Sequence, residues 1–420
     1  MGHMQGHAAT RNALEDLLRA GALHSVYQPI VALDRLECIG YEALARGPEG
    51  SALERPDQLF GMAAIANLTT EVDEACRHAA VAGALHAGLE PPGTLFVNAE
   101  ASALDPSRRF LPDGEEAVGE GRLRVIVELT ERALTARPRE LFELVRWLRD
   151  RGFGIALDDV GVDDGSLALM PLIAPDVIKL DMSLTRRRPD AELARIVHAV
   201  QAEAERTGAA VVAEGIENDE HLARAIALGA RYGQGWLFGR PGPLRDPSAR
   251  PELAAPISGA ALDPAAPSPF TLVAGRRSTI VGDKPLLLSF SRQLEARAVE
   301  IGREVVVLST FQDERFFTER SAELYRGLGE HAVLVGAYGV GLPASPVAGV
   351  RGVALEESEA LRGEWNVIVL SPHFAAAFVG RDLGDDGPDS SRRFEFAITH
   401  ERGLVIEAAR TLLLRTARSA

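Results

Sequence analysis

The first 240 or so residues hold eight short apolar runs, most of them separated by stretches of helical spacing, and nearly every run ends on a polar side chain. The runs are 24–33, 36–46, 95–98, 123–128, 153–158, 177–181, 210–214 and 231–238. Between them lie helix candidates such as 137–151, where Leu141, Leu144, Val145 and Leu148 share one face. Others are 191–207 and 220–228, and a helix over 8–20 precedes the first run. So many strand–helix units in so short a stretch predict an α/β fold closed into a (β/α)8 TIM-like barrel rather than an open sheet. The first two runs are joined by the two-residue turn Asp34-Arg35, so they should pair antiparallel.

In such a barrel the chemistry sits where the carboxyl ends of the strands meet the loops. Those positions are Glu42, Asn98, Glu128, Asp158, Asp159, Lys179, Asp181, Glu214 and Gln234. One acid at a strand end is an ordinary helix cap. Six or seven round one rim, with Lys179 the single base, repel one another and need a counter-ion. Oxygen donors without His or Cys favour Mg²⁺ or Mn²⁺ over Zn²⁺. Asp158 is placed to bridge two ions, with Asp159 reaching the second, an arrangement suited to clamping a phosphate displacement.

The net charge of −15 argues against a nucleic-acid polymer or an anionic membrane as partner. No run is apolar enough over 18 residues to span a bilayer, and no signal-peptide pattern opens the chain. Cys38 and Cys76 offer neither a disulfide framework nor metal-ligand spacing, which fits a reducing cytoplasm. Met1-Gly2-His3-Met4 reads as an expression scar and is set aside from the fold. The run Arg186-Arg187-Arg188 reads as a solvated helix approach, and Glu217 as a support to the site.

The motifs Tyr41-Glu42-Ala43-Leu44-Ala45-Arg46, Val97-Asn98, Glu128-Leu129-Thr130-Glu131, Asp158-Asp159-Val160-Gly161, Lys179-Leu180-Asp181, Ala213-Glu214-Gly215-Ile216-Glu217 and Gln234-Gly235-Trp236-Leu237-Phe238-Gly239-Arg240-Pro241 occur in register. Together they resemble the EAL-domain cyclic di-GMP phosphodiesterases. The resemblance implies a barrel whose first strand is antiparallel to the rest, and a homodimer. It implies metal-dependent hydrolysis of cyclic di-GMP to linear pGpG. It implies that Glu42, Asn98, Glu128, Asp158, Asp159 and Glu214 hold two metal ions, with Glu42, Asp159, Lys179 and Glu214 catalytic. Gln28, Leu44, Arg46, Asp181, Gln234 and Pro241 would contact the substrate, and Glu131 would stabilise the loop after Asp159. That loop, Val160-Gly161-Val162-Asp163-Asp164-Gly165-Ser166, departs from the family's Phe-Gly-Thr-Gly-Tyr-Ser-Ser pattern. The departure leaves open an alternative, a cyclic di-GMP-binding regulator with little turnover.

Eight of the 24 prolines fall within 241–269, which reads as a linker and divides the chain into a barrel at 8–243, a linker at 244–269 and a second, smaller α/β domain at 270–420. In the second domain strands are expected at 304–308, 331–335, 350–355, 366–370 and 393–398, and helices at 287–301, 314–328, 373–381 and 403–416. The runs Glu304-Val305-Val306-Val307-Leu308, Glu364-Trp365-Asn366-Val367-Ile368-Val369-Leu370 and Arg393-Phe394-Glu395-Phe396-Ala397-Ile398-Thr399-His400 resemble the DICT domain. That resemblance implies a sensory module of unknown signal or partner that regulates the barrel.

Overall fold

The computed structural model describes residues 2–100, 110–111, 115–130, 138–162, 164–244, 268–356, 359–385 and 388–415. The chain forms two compact units.

The first unit is a closed barrel of eight strands: β1 (His24–Ala32), β2 (Glu37–Arg46), β3 (Thr94–Ala99), β4 (Arg124–Thr130), β5 (Gly154–Val160), β6 (Val177–Leu180), β7 (Ala210–Ala213) and β8 (Tyr232–Gln234). β1 pairs antiparallel with both β2 and β8, and β2 to β8 pair parallel in chain order. The link from β1 to β2 is longer than the expected two residues. β1 ends at Ala32 and β2 begins at Glu37, with Leu36 at φ 57° closing the turn through its N–H to the Ala32 carbonyl. The register also slips by one residue between Ile30 and Val31, so the pairing stays antiparallel across a bulge.

Local chemistry fixes the helices between strands. The Asp190 side chain accepts the Leu193 N–H at 2.8 Å to start the helix Ala191–Thr207, and Gly208 at φ 79° ends it. Leu193, Ile196 and Val200 of that helix are buried at helical spacing. Asn218 caps Asp219–Ala227 in the same way. The first helix starts earlier than expected, at Gly2–Arg19, and takes in most of the segment set aside as a scar.

Inside the barrel lies one apolar layer: Ile30, Phe96, Ile126, Ala156, Val177, Val212 and Tyr232, with Ala32, Ile39 and Ala210. Side chains two residues apart share a strand face. One pleat repeat beyond this layer therefore come Asn98 after Phe96, Glu128 after Ile126, Asp158 after Ala156, Lys179 after Val177, Glu214 after Val212 and Gln234 after Tyr232. On the reversed β1 the offset runs backward, from Ile30 to Gln28. The polar residues thus stand directly on the apolar floor that folds the barrel.

The second unit is a seven-stranded mixed sheet of β9 (Ile280–Asp283), β10 (Val306–Asp313), β11 (Leu334–Val340), β12 (Arg351–Ala354), β13 (Glu364–Leu370), β14 (Ala375–Asp382) and β15 (Arg393–Thr399), in the order β12-β11-β10-β13-β14-β15-β9. β10, β11 and β12 are parallel and the remaining pairs antiparallel. Its core is built on Leu287, Val307, Tyr325, Val335, Val369 and Phe378, with others around them. The helix expected over 373–381 is instead the strand β14, an inner strand paired on both sides. Ala375-Ala376-Ala377 has high helix propensity, but all three are buried between β13 and β15, and tertiary burial overrides the local preference. The helix expected over 314–328 is a short 3-10 turn, Glu314–Phe316, followed by a helix at Glu319–Gly329. β9 and the helix Pro269–Ala274, capped by Ser268, were not anticipated. Of the expected linker, 245–267 lies outside the described residues.

Candidate active site

Lys179 is the centre of the barrel's mouth. Its side chain is 1% exposed, and its Nζ lies 2.6 Å from Glu214, 2.7 Å from Glu128, 3.0 Å from Asp158 and 3.7 Å from Glu42. Burial works to strip the proton from this amine, but Asp158, Glu128, Glu214 and Glu42 together hold it well above lysine's usual range. The four carboxylates thus favour the ammonium form of Lys179.

One ammonium cannot balance four carboxylates, and the acids divide the deficit unequally. Burial pushes Glu128 well above the usual range, with Glu42 adding to it against Lys179. Burial likewise raises Glu214 to about 8, Lys179 opposing and Asp158 adding. For Glu42 burial also pushes upward, but Lys179 and hydrogen bonds from Gln234 and Asn98 outweigh it and hold the group low. Asn98 donates to Glu42 Oε1 at 2.9 Å and Gln234 to Glu42 Oε2 at 2.5 Å. The same Gln234 amide reaches Gln28 Oε1 at 3.0 Å, and Gln28 donates onward to the Gly239 carbonyl at 3.1 Å. This chain ties β1, β2, β3 and β8 together at one rim.

Asp158 and Asp159 are consecutive, and a regular strand would turn them to opposite faces. The register with β6 breaks between Leu157 and Val160, and Asp159 takes a left-handed φ of 58°. This bulge re-aims the second carboxylate. As a result Asp158, Asp159 and Glu214 each bring a carboxylate oxygen to within 4.8 Å of the others. Burial raises Asp159, with Asp158 and Asp181 next among the causes. Three oxygen donors at this spacing, carrying more negative charge than Lys179 offsets, fit a divalent cation. The unpartnered, buried Gln234 Oε1 is a further oxygen at the same rim.

The remaining expected positions fall round this centre. Asp181 caps the helix Met182–Arg186 by accepting the Ser183 N–H at 2.8 Å. Leu44 and Arg46 close β2, and both are half-buried. Arg46 donates to the Ala45 carbonyl at 2.8 Å, and burial draws its pKa down while Glu54 opposes. Pro241 precedes Gly242, whose backbone pairs with Tyr27 on β1. Glu131 and Asp163 lie outside the described residues.

Arg186 has a part that its sequence reading missed. It donates to the Gly215 carbonyl at 3.3 Å and to Glu217 Oε1 at 2.9 Å, which ties down the loop just after Glu214. Gly215 sits at φ 64° with no room for a Cβ, which would stand 2.4 Å from Met182 Cβ. The signal lay in the spacing of Glu214 and Glu217 and in the base that follows Asp181, but nothing in the sequence pairs them.

The EAL domain family model matches residues 11–241, more than half of the chain. This chain belongs to the EAL domain family. A second model, described as a sensory domain in diguanylate cyclases and two-component systems, matches residues 271–383. Cyclic di-GMP phosphodiesterase RocR of Pseudomonas aeruginosa is 31% identical over 229 residues, which are 53% of this chain and 58% of RocR. Cyclic di-GMP phosphodiesterase NbdA of the same species is 31% identical over 244 residues, 55% of this chain and 30% of NbdA. The chain thus spans between 30% and 58% of the length of these two relatives. A solved manganese and cyclic di-GMP complex of Klebsiella pneumoniae BlrP1 aligns with a TM-score of 0.47 at 27% identity, over 53% of this chain and 56% of that one. Among the described residues no helix is long and apolar enough to cross a membrane.

Proposed function

We propose that the barrel hydrolyses cyclic di-GMP to linear pGpG with the help of Mg²⁺ or Mn²⁺. One observation carries the reading: Glu42, Asn98, Glu128, Asp158, Asp159 and Glu214 converge from five strand ends on one mouth around a single ammonium. These six residues would hold the metal, which when bound supplies Lewis-acid activation of water and offsets phosphate charge. The names of the relatives RocR and NbdA support cyclic di-GMP as the substrate.

Within that reading Lys179 holds its proton, spaces the acids and donates to the reacting water. Gln234, pinned by Glu42 and Gln28, orients its amide at the same rim. Arg46 receives a phosphate through its two-pronged guanidinium. Gln28, Leu44, Asp181 and Pro241 shape the rest of the dinucleotide site. One water is consumed: its oxygen bonds to phosphorus, the phosphorus–O3′ bond breaks, and the ribose oxygen leaves with a proton. The reading includes the division into 8–243, 244–269 and 270–420, a homodimer, a reducing cytoplasm and control by the second domain.

The second reading is a cyclic di-GMP-binding regulator, favoured by the unusual residues after Asp159, among them the exposed Val162. Incubation of the full chain with cyclic di-GMP and either metal, followed by chromatography, separates the two. The enzyme accumulates pGpG, and Glu42→Ala lowers the rate by at least about a hundredfold. Tight binding with no product under either metal establishes the regulator instead.

A further inference from the structure

The second unit contains a cavity of about 610 Å³, a size that suits a small organic ligand. It opens between the helices Lys284–Ile301 and Glu319–Gly329 and is floored by β10, β13 and β15. Four aromatic rings line it: Phe311, Phe316, Trp365 and Phe394. Trp365 and Phe394 meet edge to face at 5.7 Å, and Phe311 meets the buried Tyr325 in the same way at 5.3 Å. These rings are held by their neighbours and present a preformed flat, apolar surface.

The charges round the rings are of two kinds. Lys284 and Arg392 are bound to Asp389, and Arg392 also to Asp382 and Gln312. Those cations are spoken for. Arg292 and Arg320 line the cavity as well, and among the described residues neither makes a hydrogen bond or close ion pair. The acid whose charge they oppose is Glu295, which is also in the lining. Burial raises Glu295 to about 7, against the Tyr325 hydroxyl that donates to it at 3.2 Å and the two arginines. Two exposed guanidinium groups thus face one carboxyl whose burial disfavours its charged form, in a chain whose net charge is −15.

We propose that this cavity binds a small molecule with a flat aromatic body and one anionic group, the rings taking the body and Arg292 with Arg320 taking the anion. The matched sensory-domain description names no ligand, and the inference does not depend on the barrel's activity.

The test uses the full chain and two fluorescent probes of nearly one shape, the anionic 8-anilinonaphthalene-1-sulfonate and the neutral N-phenyl-1-naphthylamine. Saturable binding of the anionic probe at one site per chain is expected. Arg292→Gln combined with Arg320→Gln should weaken it about tenfold or more while changing the neutral probe by less than about twofold. Glu295→Gln should tighten the anionic probe at pH 8. Ala296→Trp, which fills the cavity from an exposed position, should remove the one-per-chain site for both probes. Unchanged melting temperatures show that the variants are folded. No saturable binding, or binding indifferent to Ala296→Trp, overturns the site. Equal loss of both probes in the double arginine variant overturns the anion assignment.

Discussion

At the barrel's mouth a buried ammonium touches four carboxyl groups, and its removal should expose what each of them costs. Lys179 is more deeply buried than any of its partners except Glu128. Breaking a buried charge cluster by deleting one member leaves the others uncompensated, at a cost of about 3–5 kcal/mol. The loss should depend on pH. Glu128 and Glu214 already hold protons more tightly than ordinary acids, so as pH falls they lose charge before ordinary carboxylates do and with it the need for a counter-charge. As pH rises through their raised values they ionise, and the variant then has nothing opposite them. Lys179→Met should therefore lose about 3 kcal/mol in metal-free buffer at pH 8 and markedly less at pH 5. Mn²⁺ should restore more stability to the variant than it adds to the wild type. Denaturant unfolding at the two pH values, with and without the ion, reads all of this. A loss that ignores both pH and metal would show that the ammonium is not the counter-charge.

At the scale of the element, what the sequence reveals follows from what has a period. Strand alternation is local, so the barrel strands and the strand-end positions of Glu42, Asn98, Glu128, Lys179 and Gln234 could be read in advance, while the antiparallel first pair was read from the short connection at Asp34-Arg35. The bulge at Asp159 has no such period. It depends on a slipped register between β5 and β6, a long-range property that two adjacent acids only hint at. Strand β14 was misread for a related reason, because an Ala-rich run reveals its burial only when β13 and β15 flank it. The bulge also rests on Gly161, at φ 105°, where an added Cβ would lie 2.8 Å from Leu184 Cδ1. Both the backbone angle and the contact oppose a side chain, so Gly161→Ala should cost about 1–3 kcal/mol. If it also shifts Asp159 out of the donor cluster, the midpoint for Mn²⁺ stabilisation should move to higher concentration. Thermal melts across a Mn²⁺ series measure both effects. A melt identical to wild type would mean that the β5 turn relaxes freely and does not hold the dyad.

For the whole molecule the question is whether the region matching an EAL domain, residues 11–241, and the region matching a sensory domain, residues 271–383, act on each other energetically. The overall charge of −15 gives neither unit a general attraction for an anionic ligand, so any affinity has to come from local groups such as Arg46 in one and Arg292 and Arg320 in the other. Local recognition makes the coupling measurable, because thermodynamic linkage requires it to be reciprocal. If occupation of the aromatic cavity changes the barrel's affinity for cyclic di-GMP by some factor, cyclic di-GMP must change the cavity's affinity by the same factor. For regulation of a useful size that factor should be about fivefold or more. Titration of the naphthalene sulfonate probe with and without saturating cyclic di-GMP gives one side of the cycle. Titration of cyclic di-GMP with and without saturating probe gives the other, both read before appreciable turnover. Ala296→Trp should erase the effect of the probe on cyclic di-GMP while leaving cyclic di-GMP binding itself intact. Equal factors in the two directions establish regulation through the cavity, and a factor of one in both leaves the two units as independent functions on one chain.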